Sequence, residues 1–566
     1  MKDKDMIHTA PISGIAAYKN RYVATAGYDN RLILWDAQTH KAIAMGTHDH
    51  LVNQCAFSPC GTKLVSASSD YSARIWQLPE MRLQKVINFH QDDVLKADFS
   101  PSGEYIATCS YDCTLTVSDL DGNLVSRMVG HENIIESFDW SHDSLTLTSV
   151  GMDGTVRTWD IKTGEQIDIV SNGNTDIDAI AHISAKTKIV GDNEGYISLI
   201  REDGETKIKA HNSAVKKIAI NKDASLFATT SYDGRLIIWE LVGYDQLEKV
   251  NETELPKIAW PRSVAFLDDN TLVIGTFASS YLAWNPYTKQ WMNSELIPSR
   301  SLNSIHIEGD DIYAIGDAGR TLKNGQDIGG PDSLCNFITR FKSRLVCGGQ
   351  TATLYDAVTG EKLYDLDSPI NCGVSFSSND DTLLAVGTYS GNIFVFSENE
   401  RFEYVTVIKA HSNAIKGISY DGTSLFGGCA DGELSIIDPD KLAIVKVIHG
   451  AHDGILNDCS PFAHGFATIS RDLHLGLWGD NDNASKVKSR HTNSIKCVAA
   501  SEDGLFIACG SYVGVVDIYS VADKKWIGLP KRPTHAGISS LCWSNNKNAF
   551  FASSYDGKYY QVDVTE

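Results

Sequence analysis

Along this chain, short runs of alternating apolar and polar residues are broken every few residues by turn-forming clusters. One unit reads "LVSASSD" from Leu64, "SARIWQL" from Ser72 and "LQKVINF" from Leu83. A first alternation precedes each such set, as in "HNSAVKKIAI" from His211, and a turn such as "NKDAS" or "SPCGT" follows it. No helical period is present. The pattern predicts four short antiparallel strands per unit, joined by tight turns.

The unit repeats. Anchored on the turn residue Asp29, the same context returns at Asp70, Asp112, Asp153, Glu194, Asp233, Ala278, Ala318, Gly349, Ser390, Asp431, Asp472, Val513 and Asp556, and most steps are 41 residues. The step from Ala318 to Gly349 is only 31, which predicts an unusually short connection. Units from Glu194 to Ser390 diverge; apart from the one at Asp233 they lack the histidine and mostly the tryptophan. That divergence marks either a junction between rings or neutral drift. A small sheet cannot bury both faces alone, whereas copies stacked radially cover one another and leave only short edges. Fourteen units exceed one ring, so two rings of seven are expected, 1–290 and 291–566. The chain ends just after a third strand. An N-terminal strand at "DKDMI" is therefore expected to complete a blade and close one ring, with the segment around Trp291 closing the other; an intertwined closure is the alternative.

These units resemble WD repeats. Trp-Asp stands at Trp35-Asp36 and Trp159-Asp160, with variants at Trp76-Gln77, Trp239-Glu240, Tyr355-Asp356, Ile437-Asp438 and Trp478-Gly479. Gly-His stands at Gly130-His131, and Ala-His at Ala210-His211, Ala410-His411 and Ala451-His452. The resemblance implies an all-β fold of two tandem seven-bladed WD40-type β-propellers, with fourteen four-stranded blades. It also implies a buried hydrogen-bond set of the histidine, a Ser or Thr two residues before the turn Asp, that Asp, and the Trp. On that rule the set is complete at His48, Ser68, Asp70, Trp76; at His211, Ser231, Asp233, Trp239; and at His452, Ser470, Asp472, Trp478. Units at His8, His90, His131 and His535 keep most of it. Although Ser, His and Asp suggest hydrolytic chemistry, a set repeated unit after unit reads as a structural staple. Blade count and length also resemble the actin-interacting proteins, cytosolic partners of actin filaments, with no residue motif behind that resemblance.

Charge narrows the function. With 50 Lys and Arg against 71 Asp and Glu, the net charge is −21, which disfavours direct nucleic-acid binding and an anionic membrane. No stretch approaches a membrane span, and "MKDKDMIHTA" lacks the apolar core of a signal peptide. The 12 cysteines are scattered and are read as thiols of a cytoplasmic protein, Cys109 and Cys113 as packed thiols across one turn. There is no phosphate loop, Cys-x-x-Cys or His-Glu-x-x-His, so no catalytic residue, metal or cofactor is expected. The reading is a non-enzymatic interaction scaffold. Alternatives are an accessory subunit of an RNA- or tRNA-modifying enzyme and a regulator of actin filaments.

For WD propellers, the resemblance places the residue before the turn Asp, and the residue five after the His, on the narrower face around the channel. In the first ring these are Tyr28, Asn53, Tyr111, Glu136, Met152, Lys216 and Tyr232; in the second, Tyr389, Lys416, Asn457, Arg471, Lys496, Tyr512 and Tyr555. The second set holds three cations and no acid. It is expected to bind an acidic or phosphorylated segment of a partner protein, with Arg471 as a bidentate anchor.

Overall fold

The alternating runs form strands of the expected length. A representative sheet contains Val52–Phe57, Lys63–Ser68, Ala73–Gln77 and Arg82–Ile87, paired antiparallel in chain order. The structure is a computed structural model that describes residues 6–564 apart from 174, 185–186, 244–245, 294–295, 463–464 and 480–484. Among the described residues there are fourteen sheets and no helix; thirteen have four strands and the last, Ile538–Asp563, has three. The chain divides into two compact units, Met1–Ser299 and Arg300–Glu566, each with seven sheets. In both units the first strand of every sheet lies beside that of the next. Ile12–Tyr18 meets Ala259–Phe266, and Leu302–Glu308 meets Ile538–Ser544, so each circle is closed.

Burial follows from that stacking. Inner strands are covered on both faces by neighbouring sheets, and Tyr22–Gly27 is buried throughout. Outer strands meet solvent, and Gln166–Ser171 is almost wholly exposed. The core is therefore a series of inter-sheet layers. In one of them Cys109, Leu115, Phe138, Trp140, Leu147 and Trp159 pack across the third and fourth sheets. Such apolar burial, at about 25 cal/mol per Å², is the main stabilising term.

The closing strands differ from expectation. Gln290–Met292, with Trp291 opposite Trp284, is the outer strand of the seventh sheet in its own sequence order. The first unit thus borrows no strand, and the division falls after Ser299 rather than at 290. Most of the expected "DKDMI" strand lies outside the described residues. The short 31-residue step is absorbed by outer strands of two residues each, Leu322–Lys323 and Gln326–Asp327.

The staples also need one correction. His48 Nδ1 donates to Asp70 at 2.8 Å, and its Nε2 pairs at 2.7 Å with the hydroxyl of Ser66, not Ser68. Trp76 Nε1 donates to the same Ser66 oxygen at 2.8 Å. The pleat explains this. Trp76 stands opposite Leu64, so its indole reaches the next same-face residue, Ser66, while Ser68 is another pleat away at the turn. Ser68 instead accepts from the Asp70 amide. Thr229 replaces Ser231 in the set of His211, Asp233 and Trp239, and Thr468 replaces Ser470 in that of His452, Asp472 and Trp478. With the hydroxyl four residues before the Asp, two further sets are complete: His8, Thr25, Asp29, Trp35 and His131, Ser149, Asp153, Trp159. The hydroxyls are buried, and each is engaged by an indole and an imidazole at once. That makes them ties between strands.

Candidate functional site

One backbone device recurs where each first strand begins. The pairing of Val52 with Ser68 and of Gln54 with Ala67 skips Asn53, a β-bulge that leaves it outside the ladder. The same shift isolates Ser13, Leu95, Glu136, Asp178 and Lys216 in the first unit. In the second it isolates Asn303, Asn336, Asn371, Lys416, Asn457, Lys496 and Ser539. A bulge re-aims its extra residue; these residues line the axial cavities of the two rings.

In the first unit the cavity is about 80 Å³ and includes Tyr28, Asn53, Glu136, Asp178, Lys216 and Arg262 in its wall. Its charges compensate one another. Lys216 Nζ lies 2.7 Å from Asp178 and 5.3 Å from the centre of the Tyr232 ring. Glu136 acts electrostatically on both Lys216 and Arg262. Tyr28 meets Trp260 edge-on at 5.2 Å. Behind the bulge, Lys96 Nζ donates to the Phe138 carbonyl at 2.6 Å. Burial and the neighbouring Lys96 push the Lys217 ammonium down to about 8. Tyr111 and Met152, whose backbone amides donate to the Asp93 and Ile134 carbonyls, are not part of the cavity wall, although Tyr111 acts electrostatically on Arg262.

The second unit has a cavity of about 500 Å³. Its wall carries Asn303, Asn336, Asn371 and Asn457, and each amide donates to a carbonyl of the next sheet, Cys335, Ile370, Ile415 and Ile495 respectively, at 2.6–3.1 Å. Asn457 is buried in this tie, as Asn53 is engaged with Val94. Both amides fasten one blade to the next through their nitrogen, while the two residues also line the cavities. Lys416 and Lys496 take the same bulge position and line the cavity. Lys416 Nζ sits 4.8 Å over the Tyr389 ring. Burial pulls the Lys496 ammonium toward neutrality, yet Tyr512 and Asp458 outweigh it and hold the charge. Arg471 stands close enough to Lys496 to repel it, and Tyr512 stacks on Tyr555 at 6.4 Å.

The structure therefore brings together Lys416 with Tyr389, and Lys496 with Arg471, Tyr512 and Tyr555. It adds an acid absent from the positions expected on this face: Asp458, one residue beyond the bulge, whose carboxyl is pushed up to about 6 by burial. In the first unit Asp178 and Arg262 were missed, because their units lack the histidine used for counting. A signal was present in the residue pairs themselves. A buried branched residue followed by a polar one recurs as Val52-Asn53, Ile135-Glu136, Ile177-Asp178 and Val215-Lys216.

Comparison with known proteins agrees with this architecture. Residues 42–77, 81–119, 122–160, 204–240, 484–513 and 529–560 match the family described as WD domain, G-beta repeat. These six segments read as WD repeats, and the closed rings of four-stranded sheets have the form of β-propellers. It is 27% identical over 278 residues to the 77 kDa echinoderm microtubule-associated protein of Strongylocentrotus purpuratus, covering 42% of this chain and 40% of that one. It is 32% identical over 144 residues to the F-box-like/WD repeat-containing protein TBL1X of Macaca fascicularis, covering 23% and 25%. The matched segments thus span less than half of these relatives. The solved WD40 repeats of RRP9 align with a TM-score of 0.44 and 19% identity, over 48% of this chain and 88% of that one.

Proposed function

We propose that the chain is a non-enzymatic scaffold whose second propeller receives an acidic or phosphorylated segment of a partner protein at its channel mouth. The observation that carries this reading is the pair of lysines at bulge positions, Lys416 and Lys496, in the wall of a cavity of about 500 Å³. Arg471 beside Lys496 adds a planar donor suited to a carboxylate or phosphate, and the tyrosines supply ring faces of the kind that anchor interfaces. The match of six segments to WD repeats supports protein binding in general. The relatives' names attach to different settings, a microtubule-associated protein and an F-box-like protein, so they favour a class of role over a particular partner. A cytoplasmic setting belongs to the same reading, since it keeps the twelve free cysteines as thiols.

The test is fluorescence anisotropy of the full chain with Asp/Glu-rich and phosphoserine peptides, against the variant with Lys416, Arg471 and Lys496 all replaced by Glu. The expected loss is about tenfold or more in affinity, with an unchanged melting curve and with wild-type binding weakened by salt. Equal binding by the folded triple variant would place the partner surface elsewhere.

A further inference from the structure

The staple of the eleventh sheet is built differently from the complete ones. Its histidine, His411, has no hydroxyl four residues before the turn Asp, because Gly427 occupies that position. Nε2 turns instead to Ser435 Oγ at 2.6 Å, across the strand pair Gly427–Ser435. Nδ1 is thereby carried away from the turn carboxylate. It lies 4.0 Å from Asp431 Oδ2 and 3.4 Å from Glu433 Oε2, against 2.8–3.1 Å in the complete staples, and makes no hydrogen bond. The His411 side chain is 1% exposed. An imidazole nitrogen is thus sealed in without a hydrogen-bond partner, a costly arrangement unless something fills the gap.

What surrounds that nitrogen is a metal-binding set. Cys429 takes the place held by Ser68, Ser231 and Ser470 in other units, and its Sγ lies 3.2 Å from the Asn413 carbonyl. A ring nitrogen of His411, Cys429 Sγ and a carboxylate oxygen of Asp431 all lie within 4.8 Å of one another, and His411 Nδ1 is 4.0 Å from Asp431 Oδ2. Tetrahedral zinc sites, with bonds of about 2.0–2.3 Å to N, O and S, place ligand atoms about 3.3–3.8 Å apart, so side-chain rotations of about 1 Å would draw this set onto the ion. Glu433 Oε2 stands beside Nδ1 as a fourth donor, its other oxygen held by His449. The Ser435 contact is the second-shell bond that fixes which nitrogen of a ligating histidine faces the metal.

We propose that His411, Cys429 and Asp431 form a zinc-type divalent-cation site in the eleventh blade, completed by Glu433 or water, that replaces the missing staple. A mixed thiolate, imidazole and carboxylate set suits zinc over magnesium or calcium.

The test uses the full chain stripped with chelator and titrated with cobalt(II), then zinc. The expected result is one equivalent of cobalt with tetrahedral visible bands and a thiolate-to-cobalt band in the near ultraviolet, both bleached by zinc, and a higher melting temperature with zinc. Cys429→Ser restores the serine of neighbouring units and should fold, yet lose the near-ultraviolet band. Asp431→Asn and Ser435→Ala should each bind zinc about 10–100-fold more weakly. Cys60→Ser, at an exposed thiol, should change nothing. The proposal is overturned if no band appears, or if the bands persist in Cys429→Ser, which would show an adventitious ion only.

Discussion

In the first propeller the residues just behind the bulge include Gln54, Lys96 and Lys217; in the second they include Ser304, Cys372, Gly417 and Asp458. Three long polar side chains stand behind the bulge in the first channel, beside Gly14, Ser137 and Ala179; in the second the one long side chain at these positions is Phe337, and its cavity is the larger. Gly417 shows how tightly the second is drawn at its wall. A Cβ there would meet the Cys459 amide nitrogen at 2.8 Å, so only glycine lets those sheets approach. The same backbone device thus yields a self-satisfied plug in one ring and a lined cavity in the other. In the first ring the bulge cation Lys216 is paired to Asp178 at 2.7 Å, whereas in the second Lys416 and Lys496 line the larger cavity beside tyrosine rings and Asp458.

The strongest way to break this comparison is to remove an answering charge. Asp178→Asn leaves the Lys216 ammonium, 13% exposed, without its 2.7 Å partner, which should cost about 3 kcal/mol in urea unfolding. Lys416→Gln in the second unit should cost less than about 1 kcal/mol, as at ordinary partly exposed positions. Equal costs would mean that the two channels do not differ in this way.

A contrast of staples comes next in size. Asp233→Ala strips His211 of a buried partner and should lower stability by about 1–3 kcal/mol. Asp431→Ala, in metal-free protein, should change the melting curve little, because His411 is not bonded to it. Acid sharpens the contrast. Burial raises the Asp472 carboxyl, but His452 outweighs it and holds it at about 2, below the usual 3.8. Its stabilisation is present above about pH 4 and is lost as pH falls through about 2. Asp472→Asn should flatten that acid limb in a pH series of unfolding curves.

The smallest expected effect concerns Asp458. Its raised value of about 6 means that the native carboxyl keeps a proton the unfolded chain has released, so stability falls as pH rises between about 4 and about 6. Near pH 7.5 the carboxylate offsets Lys496; near pH 5.5 it is largely neutral. Affinity for an Asp/Glu-rich peptide should then rise a few-fold on acidification, and Asp458→Asn should remove the dependence. An unchanged pH profile in that variant would separate the acid from the channel's charge.

Much of the architecture could be read from spacing alone: the 41-residue step marks the sheets, and His, Asp and Trp mark the staples. The hydroxyl of the staple could not be placed from the turn, since Ser66 and Ser68 share a face and only the strand register distinguishes them. The bulge was likewise hidden, because it is a relation between two strands. Counting from the histidine found Glu136 and Lys216 but passed over Asp178 and Arg262. Asn457 looked like a presented side chain because its tie is to the backbone of the following unit, some 38 residues away, and no local pattern announces such a partner.

The bulge has a consequence for how such a surface can change. Its residue is outside the ladder, so the sheet does not dictate its identity: serine, asparagine, leucine, glutamate, aspartate and lysine all occupy it within one unit. Selection can rewrite these letters one at a time while the staples behind them stay fixed. A ring of such positions works as a lettered dial, in which recognition drifts independently of the frame that carries it.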